Sequence, residues 1–197
     1  MAFFGSIITG VNLFLHAHTP RDQIGAAVFA TSVSMLFGVS ALYHRVNWSR
    51  VARERMRRLD HASIYLLISG TYTPIMLLAL QESLGFRILA FVWIASIIGI
   101  VLEFAVPRAP KWLKALIYVG LGWVSVFTAP QIITALGRTG FGLILAGGLL
   151  YTLGAIIYAI KKPNPWPRYF GYHEIFHLLV IAGAGVHYYV VAALILP

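Results

Sequence analysis

A chain of 197 residues that is 59% hydrophobic and only 11% charged, with a mean hydropathy of +0.81, lies outside the soluble globular class. Its net charge of +9 is not a nucleic-acid signal, because the basic residues sit in short breaks between apolar segments. There is no cysteine, which excludes a disulfide framework and a thiolate metal site and leaves histidine, carboxylate and water as ligands for any metal.

Apolar segments of roughly 20 residues, the length needed to cross a bilayer, recur along the chain. Seven are expected, at about 2–18, 24–44, 61–81, 86–106, 113–135, 140–160 and 173–196. The first is marginal in length and carries Asn12, His16 and His18 at its far end. It lacks the basic n-region of a signal peptide and reads as a retained helix. Twelve of the fifteen basic residues fall in the breaks after the second, fourth and sixth segments: Arg45, Arg50, Arg53, Arg55, Arg57, Arg58, Arg108, Lys111, Lys114, Lys161, Lys162 and Arg168. By the positive-inside rule those breaks face the cytoplasm. The expected fold is therefore an all-α seven-transmembrane helix bundle, one domain over 1–197, with the N-terminus cytoplasmic and the C-terminus outside. The expected location is the cell membrane.

The second segment ends FGVSALYHRVNWSR, which puts Ser40 and His44 one helical turn apart. Ser40 alone could simply bond back to a carbonyl one turn earlier, and His44 could sit at the headgroup boundary. The basic run that follows reads as a short interfacial helix, held to anionic headgroups by about 1 kcal/mol per basic residue. Asp60 then opens the third segment, where it could cap the helix. His61 projects about 100° away from Asp60 and is not expected to be a ligand. Pro74 cannot donate to the Gly70 carbonyl and is expected to kink the helix. Glu103 reads as an interfacial charge.

The last segment, GYHEIFHLLVIAGAGVHYYVV, carries His173 and His177 four residues apart, on one face and able to reach one point beside a helix. The alternative is two interface histidines, each satisfied by a carbonyl. His187 lies about 15 Å further along and cannot share a metal with them; it is expected to be buried against a neighbouring helix. HEIFH is also a literal HExxH, which keeps open a protease with Glu174 as general base.

In the seven-segment topology, His44, Asp60, His173 and His177 fall at one edge of the bundle. Ionisable groups within membrane segments are rare and usually face the protein interior. Three neutral imidazoles with an open fourth position describe a catalytic zinc site, with Asp60 and Ser40 bonded to the water.

SALYH at 40–44, LDHASIYLLISGTYTP at 59–74 and HEIFHLLVIAGAGVHY at 173–188 resemble the signatures of the hemolysin III family, the bacterial branch of the progestin and adipoQ receptors. The resemblance implies zinc on His44, His173 and His177, with Asp60 holding the water and Ser40 beside it. It also extends to the alkaline ceramidases, whose shared plan implies hydrolysis of a lipid amide or ester, with membrane lipids as partners and no nucleic acid. A non-enzymatic sensor or lipid-homeostasis factor with a structural zinc is the other implied reading. Cytolysis is a name the family carries, but the sequence holds no barrel or amphipathic pore segment to account for it. Bacterial members usually carry additional N-terminal sequence.

Overall fold

The computed structural model describes residues 1–106, 109–167 and 169–196. Arg108 and Arg168, expected among the topology-setting charges, lie outside the described residues. The chain forms two compact units, Met1–Arg108 with Ile195–Pro197, and Ala109–Leu194. Among the described residues there is no sheet, only an isolated pairing of Trp166 with Phe170.

The first unit contains α1 (Ala2–Leu15), α2 (Pro20–Arg45), α3 (Arg50–Pro74) and α4 (Glu82–Ala105). The start of α2 is fixed reciprocally: the Asp22 amide donates to the Thr19 hydroxyl at 3.1 Å, and the Thr19 amide to the Asp22 carboxylate at 3.0 Å. Pro20 occupies the first turn, where its missing N–H costs nothing. Close packing of α2 on α3 depends on small residues. A Cβ at Gly70 would collide with the Ser32 side chain, and one at Gly25 would press on Pro74 at 3.3 Å. A similar device joins α3 to α4, where a side chain at Gly99 would run into the Tyr65 ring.

The basic run corrects an expectation. It is not a separate interfacial helix but the first turns of α3, which starts at Arg50 behind Ser49, whose hydroxyl accepts the Ala52 amide at 3.4 Å. Arg, Ala, Glu, Met and Leu are all good helix formers, so nothing interrupts the helix before Asp60. Asp60 therefore lies ten residues inside α3 and does not cap it. At Pro74 the α-helix gives way to a wider π-helical turn, Ile75–Ala79, the irregularity expected where proline removes a donor. Thr73 sits just before it and accepts the Trp93 indole N–H at 3.2 Å.

The second unit contains α5 (Lys111–Gly122), a 3₁₀ turn Trp123–Thr128, α6 (Ala129–Ile160) and α7 (Tyr172–Val190); a π-helical turn, Val191–Ile195, follows α7. Gly147 of α6 lies flush against the His187 ring, and Gly183 of α7 against Tyr151, so each helix seats an aromatic ring on a glycine of the other.

Five helical stretches are long and apolar enough to cross a membrane: Pro20–Arg45, Arg50–Ala79, Glu82–Ala105, Trp112–Ile160 and Tyr172–Ile195. α1, at 14 residues, is shorter. The 49-residue stretch would be roughly 74 Å long at 1.5 Å per residue, more than twice the hydrocarbon thickness. Helical geometry fails inside it at Gly137, whose φ of 71° and ψ of 174° belong to a conformation glycine adopts easily. On α4, Ile94, Ile97, Ile98 and Val101 are all more than half exposed, an apolar face suited to lipid and not to water.

Candidate metal centre

In the second unit the geometry starts at the entry to α7. The Gly171 amide donates to the Glu174 carboxylate at 2.8 Å and the Tyr172 amide to the Asn164 side-chain oxygen at 3.3 Å, so the exposed first turn is tied down. On that turn and the next, His173 and His177 bring their Nε2 atoms to 3.1 Å, with ring centroids 4.6 Å apart and ring planes nearly perpendicular at 85°. Two nitrogens bound to one zinc at 2.0–2.1 Å with a tetrahedral angle would be roughly 3.3–3.4 Å apart. The pair is thus within a few tenths of an ångström of chelating geometry. As neutral imidazoles they can also share one N–H between them. Phe176 packs beside both rings, at 6.1 Å from His173 and 5.3 Å from His177, and Tyr158 of α6 lies 6.1 Å from His173. An aromatic wall on α6 and α7 therefore restricts how the imidazoles can turn.

In the first unit, Ser40 and His44 occupy successive turns at the end of α2, with Ser40 half-buried and His44 exposed. The Tyr43 ring rests edge-on against His44, centroids 4.6 Å apart. Asp60 on α3 is half-buried, with the Ser40 hydroxyl beside its carboxylate. The structure thus joins the two residues read as partners of a water, Ser40 and Asp60, and joins two of the three imidazoles read as ligands, His173 and His177.

The remaining candidates separate by where their polar atoms go. His61 donates Nδ1–H to the Arg57 carbonyl at 2.7 Å, which orients its ring within its own helix. His187 is 5% exposed, with Nε2 donating to the Ile144 carbonyl of α6 at 3.2 Å, as expected of a buried histidine bonded to a neighbouring helix. Glu174 bonds back to the helix start. Glu103 is a correction: it is 3% exposed, on the α4 face toward α3, where it lies near Arg57 and Tyr65. The available signal was Gly99, one turn earlier on the same face, a residue small enough to let α4 close on Tyr65.

Long apolar helices with lipid-facing exteriors and polar groups turned inward define a multi-pass integral membrane protein. Residues 1–188 match the family described as Haemolysin-III related, and the chain belongs to that family. It is 34% identical to Hemolysin-3 of Bacillus cereus across 98% of this chain and 86% of that protein. It is 31% identical to the Hemolysin-3 homolog of Bacillus subtilis (strain 168), over 86% of this chain and 76% of that one. Similarity reaches animal proteins: the human Monocyte to macrophage differentiation factor at 26% identity over 86% of this chain and 70% of its own length, and the Drosophila melanogaster Adiponectin receptor protein at 30% over 86% and 42%.

Proposed function

We propose that this protein holds a zinc ion on His44, His173 and His177 and hydrolyses an amide or ester of a membrane lipid. The observation that carries the reading is the convergence of the His173 and His177 Nε2 atoms in a chain without cysteine. His44, at the end of α2, is the third imidazole that this reading assigns to the ion. The donor set fits zinc, which takes imidazole readily and leaves a fourth position for chemistry. Bound zinc supplies Lewis acidity, activating water and polarising a carbonyl.

The protein's own residues do the rest. Asp60, aimed by Ser40, orients the attacking water and accepts its proton. The Ser40 hydroxyl can turn its donor toward the oxygen on which charge develops. The proposal includes the seven-span count, with the stretch Trp112–Ile160 crossing twice about the break at Gly137, and the placement of N-terminus and basic breaks in the cytoplasm. The substrate carbonyl then lies near the cytoplasmic leaflet, within reach of lipid headgroups.

A second reading is a zinc-stabilised receptor or sensor without turnover, favoured by the relative named as an adiponectin receptor. The HExxH protease is weakened by Glu174, whose carboxylate is bonded to the Gly171 amide at the helix start. Purified protein incubated with a panel of lipid amides and esters, and products read by mass spectrometry, separates these outcomes. Hydrolysis strongly reduced by Asp60→Asn and retained by Glu174→Gln supports the lipid hydrolase. The reverse pattern supports the protease, and zinc without hydrolysis supports the receptor.

A further inference from the structure

Arg57 lies one turn before Asp60 on α3, at the i, i+3 spacing from which a guanidinium reaches a carboxylate. It does not do so: Arg57 donates Nε to Glu54 at 3.0 Å and Nη2 at 2.7 Å, a two-point pairing, while the neighbour of the Asp60 carboxylate is the Ser40 hydroxyl. From α4, the buried Glu103 carboxylate adds a further electrostatic pull on Arg57. Burying a carboxylate in a membrane helix is costly unless a cation answers it. The closeness of α4 that puts Glu103 there comes from Gly99 lying flush on Tyr65, so the acid is carried by a built seam and not by a loose end.

We propose that Glu54 and Glu103 are positioning residues that hold the Arg57 guanidinium away from Asp60 and so keep the Asp60 carboxylate available to the metal-site water. This rests on the role given to Asp60 above. Without the two acids, Arg57 swings one turn along α3 and pairs with Asp60, which then no longer accepts a bond from the water. The expected cost is that of losing Asp60 itself, about 10–100-fold in zinc affinity, the size seen when a group bonded to a metal ligand is removed.

The experiment is chelator competition for zinc on the full chain in detergent micelles, with thermal unfolding followed in parallel. Glu54→Gln/Glu103→Gln is expected to weaken zinc binding about as much as Asp60→Asn. Adding Arg57→Gln to the pair is expected to restore the wild-type affinity, a rescue that a merely structural role for the acids would not give. If the double variant unfolds, Glu54→Gln alone, at a half-exposed position, is expected to weaken binding less and to be rescued by the same Arg57→Gln. Unchanged zinc binding in the acid variants, or weakening that survives Arg57→Gln, overturns the proposal while leaving Asp60 in place. Unchanged binding in Asp60→Asn overturns the role of Asp60 and this proposal with it.

Discussion

The two ends of α7 hold the same side chain in opposite circumstances. At its start, His173 and His177 are half-exposed and point Nε2 at each other across 3.1 Å. Near its end, His187 is 5% exposed, pressed on Gly147, with Nε2 given to the Ile144 carbonyl at 3.2 Å. An imidazole whose nitrogen is bonded to a backbone carbonyl of the next helix is part of the packing. Two whose nitrogens converge on one point have the geometry to chelate. The chemistry of α7 is decided by where each nitrogen is directed, and residue type alone does not reveal it.

The contrast can be broken most directly at the pair. His177→Ala or His173→Ala removes one of three imidazoles from a site with no thiolate in reserve, and zinc bound by the purified protein is expected to fall to background by plasma mass spectrometry. Next in size is Asp60→Asn, which leaves every imidazole in place and is expected to cost about 10–100-fold in zinc affinity or hydrolytic rate. His187→Ala reverses the pattern. It removes the bond to the Ile144 carbonyl and empties the space of a buried ring, and is expected to destabilise by about 0.5–3 kcal/mol, read as a lower melting temperature, with zinc content unchanged. The smallest effect belongs to Glu174→Ala, which loses the bond closing the start of α7 and is expected to cost about 0.3–1.5 kcal/mol with zinc retained. Loss of zinc in His187→Ala would erase the distinction between the two ends of the helix.

Much of this was legible in the residues. The four-residue spacing of His173 and His177 predicts a shared point on one helix face, and the ten further residues to His187 place it out of reach. Hydropathy alone predicts the membrane-spanning class, because lipid demands long apolar stretches that water does not tolerate. Two features escaped for physical reasons. The start of α3 was hidden because arginines that read as a separate interfacial helix are also good formers of a continuous one, so the helix runs unbroken from Arg50 behind Ser49 and makes Asp60 an interior residue. Glu103 reads as a boundary charge because burial is a property of the seam between α3 and α4, set by Gly99 against Tyr65, and a lone glycine one turn earlier does not by itself say which helix will close on it.

The break at Gly137 is intermediate. Gly-Arg-Thr-Gly at 137–140 signals a turn, yet the residues on both sides are good enough helix formers to continue the coil up to and away from the one glycine that departs from it. The Ser40 and Asp60 pairing was foreseeable only through the second and third segments running antiparallel, which brings the end of one beside the basic half of the other.

The central claim is that α2 and α7 share one zinc ion through His44, His173 and His177. Zinc content measured on wild-type protein, His44→Ala and His187→Ala, purified side by side, tests it most directly. The account predicts zinc in the wild type and in His187→Ala and its loss in His44→Ala. Zinc that persists without His44, or that disappears with His187, would contradict it.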